Sequence, residues 1–201
     1  MRRFEGTRLL IATHNRGKFE EIAALFTDRG LELVFAADLG LAEPAETEDN
    51  FVGNARIKAH AAATATGMPA LADDSGLCVD ALGGLPGVWS ADWAETPAGR
   101  DFGMAIEKVC GLMADAGNAA PRSAQFICTF VLAWPDGHDE VFVGRVVGEI
   151  VCPGRGNQGH GYDPIFVPVG EGKTFGEIDR WEKNRMSHRA RAFESLLTCF
   201  T

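Results

Sequence analysis

Ser123-Ala-Gln-Phe-Ile-Cys-Thr-Phe-Val-Leu-Ala-Trp134 is an apolar run of strand length, and Glu140-Val-Phe-Val-Gly-Arg-Val-Val-Gly-Glu-Ile-Val151 is a second. Pro135, Asp136, Gly137 and His138 lie between them and are turn formers, so the pair predicts a long β-hairpin. Strand and helix signals alternate before it. A strand is predicted over 8–13, a helix from about Lys18 stopped by Gly30, and a strand over 31–36. An Ala-rich helix over 51–66 ends at Gly67, and a strand over 69–72 follows. Alternation of this kind builds parallel strands, and the hairpin adds antiparallel ones. The expected class is therefore α/β with a long mixed central sheet and flanking helices. A helix over about 101–116, a short strand over 165–167 and a C-terminal helix over 181–200 complete the regular elements. Residues 38–50 read as an acidic loop, 76–99 as an ordered loop region, and 154–164 as a Gly-rich loop.

With 201 residues the chain can bury a sizeable core, and a single domain over 1–201, compact or two-lobed, is expected. Its apolar content of 46% and charged content of 23% suit a soluble globular protein. A net charge of −9 argues against nonspecific attraction to nucleic acid or an anionic membrane surface. An anionic ligand would then need a local basic cluster or a metal. Cys78, Cys110, Cys128, Cys152 and Cys199 are widely spaced, odd in number and form no CxxC pair. That pattern argues against structural zinc and a disulfide framework, and it favours a reducing cytoplasm. The basic start is only three residues long, and the apolar run at 9–12 is too short for a signal-peptide core. No run reaches membrane-span length.

Five stretches carry groups that can do chemistry. Leu71-Ala72-Asp73-Asp74-Ser75-Gly76-Leu77 sets two adjacent carboxylates before a Ser-Gly turn. On a continuing strand they would point to opposite faces, whereas at a strand end entering a turn both can aim at one point. Such a pair repels unless a cation or a proton offsets it, which makes it a candidate for magnesium and for a general base; it also reads as a solvated turn. Thr13-His14-Asn15-Arg16-Gly17-Lys18 joins a strand to a helix, where backbone N–H groups and the helix dipole favour an anion, or where Asn15 simply caps. The Walker A spacing is absent. On the Ala-rich helix Asn54 and Lys58 share a face, with Arg56 and His60 off it, and Glu46, Glu48 and Asp49 crowd the loop before it. Asp73, Asp74 and one Glu would suffice for magnesium, which takes few carboxylates plus waters and phosphate oxygens. In Asn157-Gln-Gly-His160-Gly161-Tyr162-Asp163-Pro164, glycines allow close approach to a flat ligand and His160 and Tyr162 offer rings for stacking. A structural turn is the competing reading there. Finally, Lys183-Asn-Arg-Met-Ser187-His188-Arg189 gathers cationic and hydrogen-bonding groups at a helix start, to grip phosphate and base or merely to form a solvated face.

In order and spacing these blocks resemble the inosine triphosphate pyrophosphatase (Ham1-like) family over about residues 9–197. They are Thr13-x-Asn15-x-Gly17-Lys18, Asn54-Ala-x-x-Lys58, Ala72-Asp-Asp-Ser-Gly-Leu-x-Val-Asp-Ala-Leu-Gly-Gly-x-Pro-Gly87, Gly161-Tyr-Asp-Pro-Ile-Phe166 and Glu182-Lys-Asn-x-x-Ser-His-Arg189. The resemblance implies a two-lobed fold shared with Maf proteins, the nucleotide in the cleft between lobes, and usually a homodimer. It implies Mg2+-dependent hydrolysis of ITP, dITP and XTP to the monophosphate and pyrophosphate. Carried onto this chain, Asp74 is the proton acceptor and a metal-associated acid, with Asp73 and Glu46 as further metal ligands. Thr13, His14, Asn15, Arg16, Gly17, Lys18 and Lys58 would hold the triphosphate, and Ser75 would contact substrate. His160, Gly161, Tyr162, Asp163, Lys183, His188 and Arg189 would contact base and phosphate. Three positions depart from the family pattern: His14 replaces Gly, His160 replaces Phe, and Gly53 stands where bacterial relatives commonly carry Glu. An ordinary aspartate is ionised at pH 7, so Asp74 is expected to accept a proton without any upward shift. A Maf-type pyrophosphatase for pyrimidine or modified nucleotides, and a non-catalytic nucleotide-binding regulator, are the alternatives.

Overall fold

The computed structural model describes residues 1–27 and 29–200; Asp28 and Thr201, which the single-domain expectation includes, lie outside the described residues. The described residues form eight strands: β1 (Arg8–Ile11), β2 (Glu32–Phe35), β3 (Ala70–Val79), β4 (Glu95–Thr96), β5 (Gly99–Arg100), β6 (Ser123–Ala133), β7 (Asp139–Ile150) and β8 (Phe166–Pro168). The α-helices are α1 (Arg16–Leu25), α2 (Phe51–Thr66), α3 (Phe102–Asp115), α4 (Arg180–Met186) and α5 (His188–Leu196). Six strands form one sheet in the order β2-β1-β3-β6-β7-β8. β1 runs parallel to β2 and β3, and β7 pairs antiparallel with β8, so the sheet is mixed as the hairpin predicts. Among the described residues no helix is long and apolar enough to cross a membrane.

By contacts the chain divides into two compact units. Unit 1 comprises Met1–Asp74, Cys128–Gly144 and Ala190–Thr201; unit 2 comprises Ser75–Ile127 and Arg145–Arg189. In unit 1 the two faces of the strands are covered differently. Leu9, Ile11, Leu71 and Phe130 pack with Ile22 and Phe26 from the α1 region and with Phe193 and Leu196 of α5. Leu10, Ala70, Ala72 and Val131 pack with Ala55, Ala59, Ala62 and Ala63 of α2, whose small side chains let the helix lie close. In unit 2 the amphipathic α3 places Ala105, Val109 and Met113 against Leu77, Val79, Phe126, Val146 and Phe166.

Several expectations are corrected. β3 does not end at Ala72 but continues through the acids to Val79. α1 begins at Arg16 and stops at Leu25, well before Gly30, with the Phe26 N–H closing on the Ala23 carbonyl. The region 76–99 carries the end of β3, short 3-10 turns and strand β4, which pairs with β5. The single C-terminal helix is two, broken at Ser187, whose ψ of 158° is extended. Serine favours helix starts, and a new helix begins beside it. Cys110 and Cys152 form a disulfide. They are 42 residues apart, so their spacing in the sequence says nothing of a pairing that the fold of unit 2 creates.

Candidate active site

Strand alternation governs the acids of unit 1. Leu71 belongs to the α1 side of β3 and Ala72 to the α2 side, and the next two residues repeat the alternation. Asp73 meets α1: Lys18 Nζ donates to both of its carboxylate oxygens at 3.2 and 3.3 Å. For Asp74 the strongest charged neighbour is Lys58 of α2. The two carboxylates thus do not enter a turn; Lys18 of α1 bonds Asp73, and Lys58 of α2 offsets both acids. Pairing of this kind is what lets two acids sit buried within a strand.

Lys58, buried on α2, donates to Glu46 Oε1 at 2.6 Å. Burial works to lower its pKa, but Asp73, Asp74 and Glu46 outweigh it and the net shift is upward. Asp74 has the opposite balance. Burial pushes its pKa up, Glu46 and Asp73 add to this, and Lys58 and Lys18 only partly counter it, leaving it at about 7. The ordinary, fully ionised aspartate expected at this position is therefore corrected. Burial comes first in raising Asp74, and the surplus of three carboxylates over two ammonium groups adds to it.

The loop 13–18 is shaped by its own side chains. Asn15 caps α1, its Oδ1 accepting the Lys18 N–H at 3.1 Å, and its own N–H donates to Thr13 Oγ1 at 3.2 Å. Gly17 lies in the first turn of α1 and Thr13 is buried. Arg16 and His14 are directed elsewhere. The Arg16 guanidinium lies over the Phe35 ring at 4.5 Å and reaches Asp38 at 3.2 Å. His14 Nε2 lies 2.7 Å from the Leu41 carbonyl. On α2, Asn54 Oδ1 accepts the Glu48 N–H at 2.9 Å, tying the acidic loop to the helix, while Arg56 and His60 meet Asp139 instead. Gly53 has its own reason: a Cβ there would stand 2.5 Å from Glu48 Cγ, so the Glu48 stem occupies the space a side chain would need.

Among the described residues no group of three His, Cys, Asp or Glu is arranged to hold a metal ion. The trio Asp73, Asp74 and Glu46 is not a preformed cage, because Lys18 engages Asp73 and Lys58 engages Glu46. Their hard oxygen donors and surplus negative charge nonetheless suit a divalent cation that is completed by water and phosphate oxygens.

Ser75 is the first residue of unit 2, half-buried on β3. Further along unit 2, the Asp163 carboxylate organises the Gly-rich loop. Its Oδ2 accepts the His160 N–H at 2.6 Å and an ion-paired hydrogen bond from Lys183 Nζ. Gly159, at φ +78°, is required here, since a Cβ would run into that carboxylate. His160 is exposed and Gly161 partly so, as the base-contact reading needs. Tyr162 is not available for stacking on a ligand: its ring is 2% exposed and edge-on to Phe102, and its hydroxyl donates to the Ser90 carbonyl at 2.9 Å. Lys183 also sits 5.5 Å from the Phe175 ring centre. His188 stacks on Phe126, ring centres 5.0 Å apart and 13° from parallel, and Arg189 follows it, partly buried. Sequence reasoning missed Ser90 and Phe126. Ser90 Oγ accepts the Leu77 N–H at 3.0 Å and donates to the Gly87 carbonyl at 2.6 Å. A serine among glycines and tryptophans gives no periodic signal for such a role.

The Ham1 family model matches residues 9–199, nearly the whole chain. The chain belongs to the Ham1 family. This Ham1 member is 60% identical over 200 residues to a dITP/XTP pyrophosphatase of Ruegeria pomeroyi, the match covering 99% of this chain and 98% of that one. It is 52% identical to a dITP/XTP pyrophosphatase of Brucella melitensis, covering 96% and 93%. A solved HAM1 protein from Coxiella burnetii superposes with a TM-score of 0.89 at 36% identity, covering 96% of this chain and 98% of that one. The Ham1 protein of Staphylococcus aureus gives 0.84 at 35% identity, covering 95% and 96%. The Ham1 fold expected from the sequence is thus the fold observed.

Proposed function

We propose that this Ham1 chain is a nucleoside-triphosphate pyrophosphatase that hydrolyses deaminated purine nucleotides, ITP, dITP and XTP, to the monophosphate and pyrophosphate. Such an activity clears these nucleotides before they enter DNA or RNA. One observation carries the reading: a buried carboxylate, Asp74, sits among two lysines and two further acids in a chain with full-length identity to dITP/XTP pyrophosphatases. A base and a set of phosphate-neutralising cations are what hydrolysis of a phosphoanhydride requires.

In the mechanism a water attacks the α-phosphorus in line with the bond to the bridging oxygen, and that bond breaks to release pyrophosphate. The ionised Asp74 carboxylate takes the proton of the attacking water; with its pKa near 7 it is a stronger base than an ordinary aspartate and half of it is ionised at neutral pH. Lys18 and Lys58 spread positive charge along the triphosphate, exchanging their carboxylate partners for phosphate oxygens. Thr13, Asn15 and the first amides of α1 add donors. Asp74 and Glu46, with Asp73 beside them, are the residues that would hold Mg2+, which when bound supplies charge neutralisation on the phosphates. In unit 2, Lys183 and Arg189 supply further cationic contacts with His188 beside them, and the loop at 160–163 recognises the base. Donors facing a 6-oxo group would be left unpaired by adenine's 6-amino group, at a cost of about 1–3 kcal/mol each. ATP is therefore expected to be a poor substrate. A homodimer in the cytoplasm is the accompanying reading, supported by the family resemblance and the nucleotide-pool chemistry.

The test is pyrophosphate release from ITP, XTP, GTP, ATP and dTTP, each with and without Mg2+. Turnover of ITP and XTP that needs the cation and exceeds that of ATP is expected. Preference for dTTP would instead indicate Maf-type specificity, and silence on every nucleotide a binding protein.

A further inference from the structure

The ring of His14 meets the acidic segment that leads to Glu46. Its Nε2 lies 2.7 Å from the Leu41 carbonyl oxygen. A carbonyl only accepts, so Nε2 carries the proton and donates. Nδ1 looks toward Glu43 Oε1 at 3.9 Å, beyond hydrogen-bond reach but favourable for a positive charge. The ring is only about a quarter exposed, so this bond is partly shielded from water.

The segment it holds is poorly packed beneath. Leu41, Ala42 and Pro44 stand over a cavity of about 280 Å3 whose other wall includes Ala61, Ala62 and Ala65 of α2. Atoms bordering a void lose the dispersion contacts that would fix them, so polar tethers set the position of such a segment. Downstream it is tethered by Lys58 at Glu46 and by Asn54 at Glu48. The Lys58 tether is a shared one, since Lys58 also offsets Asp73 and Asp74 and must engage phosphate in the proposed reaction. Upstream of Glu46, Leu41 is held by His14 at its carbonyl and by the Ala36 carbonyl at its N–H.

We propose that His14 is a positioning residue, whose Nε2–H bond to the Leu41 carbonyl fixes the 41–46 segment and so places the Glu46 carboxylate beside Lys58 and Asp74. The inference rests on the reading that Glu46 serves the pyrophosphatase site.

Two measurements test it, on wild type, His14→Ala and His14→Gln; the Gln side-chain N–H reaches about as far as Nε2 and keeps the donor. The first is amide hydrogen exchange in full-length protein free of nucleotide and divalent cation, read at Leu41 and Glu48, whose N–H groups are bonded to the Ala36 carbonyl and to Asn54. His14→Ala should speed exchange at both by about ten-fold, the equivalent of one ordinary hydrogen bond, and His14→Gln should restore it. The second is Mg2+ titration of pyrophosphate release from ITP. In His14→Ala the half-saturating Mg2+ should rise about ten-fold while the rate at saturating Mg2+ stays within about two-fold, with His14→Gln near wild type. Unchanged exchange in His14→Ala overturns the proposal, as does a rate loss that saturating Mg2+ does not repair. A wild-type protein that releases no pyrophosphate overturns the pyrophosphatase reading instead, and the exchange measurement still decides the His14 bond.

Discussion

Each unit carries a buried aspartate and a lysine from a nearby helix, yet the two pairs are balanced differently. In unit 2 Asp163 has one lysine, Lys183, and a backbone N–H on the same oxygen, so its charge is met locally and the Gly-rich loop is fixed in shape. In unit 1 Asp73, Asp74 and Glu46 face Lys18 and Lys58, and burial together with that deficit of positive charge leaves Asp74 with a pKa of about 7. A balanced pair organises backbone. An unbalanced cluster holds a base and attracts cations. The contrast teaches that similar residue pairs divide into scaffold and chemistry according to how many charges share the site.

The largest effect should come from neutralising the unbalanced acid. Asp74→Asn should lower kcat for ITP by about 10²–10⁴, the usual contribution of a positioned base. The same change should stabilise the protein once divalent cations are removed. The folded pKa of Asp74 lies above its ordinary 3.8, so between pH 3.8 and about 7 the native state holds a proton that the unfolded chain has lost. The cost of the charged form is therefore absent below about pH 4, grows as pH rises through that window, and is complete above about 7. Urea unfolding should show Asp74→Asn and wild type alike near pH 4 and the variant more stable at pH 8, on the order of 3 kcal/mol. A variant less stable than wild type at pH 8 would mean that Asp74 is as well balanced as Asp163, and the contrast between units would fail.

Breaking the balanced pair should cost stability instead. Lys183→Met leaves the Asp163 carboxylate buried without its cation, which should destabilise the protein by about 3–5 kcal/mol. Adding Asp163→Asn should recover much of that loss, because no uncompensated charge remains. The measurement is the same urea series, at pH 7. If Lys183→Met proves neutral in stability while turnover collapses, Lys183 serves substrate first and the pair is not scaffold.

Much of this was legible in the sequence, for identifiable reasons. The run 123–151 has strand-length apolar stretches flanking turn residues, and β6 and β7 fall within two residues of the prediction at every end. The prediction of α2 over 51–66 matches its bounds because an Ala-rich run ends at Gly67, and the structure adds the cap at Asn50. The end of β3 was misread because an Asp-Asp-Ser-Gly stretch has turn composition. Only the lysines of α1 and α2, 55 and 16 positions before the acids they meet, make the strand tolerable. Lys58 on its Ala-rich helix likewise carries no local sign of being buried. Its burial depends on Glu46, Asp73 and Asp74 together, a condition no local window contains. The break at Ser187 and the Cys110–Cys152 bond are tertiary in origin for the same reason.

The smallest expected effect tests whether the unit 2 loop is scaffold down to its tyrosine. Tyr162 was expected to offer its ring to the base, but the ring is enclosed and burial pushes the phenol's pKa up, so it remains a donor at any physiological pH. Its bond goes to the carbonyl of Ser90, whose own hydroxyl spans the Leu77 N–H and the Gly87 carbonyl. The phenol thus joins the 160–163 loop to a backbone junction and does not project toward solvent. Tyr162→Phe keeps the ring and the contact with Phe102 and removes only this bond, so it should cost about 1 kcal/mol of stability. Because the ring is retained and the Asp163–Lys183 pair still holds the loop, kcat/KM for ITP should change by less than about three-fold. Unchanged stability with a much larger loss in kcat/KM would place the hydroxyl on substrate and make Tyr162 part of recognition, contrary to its burial.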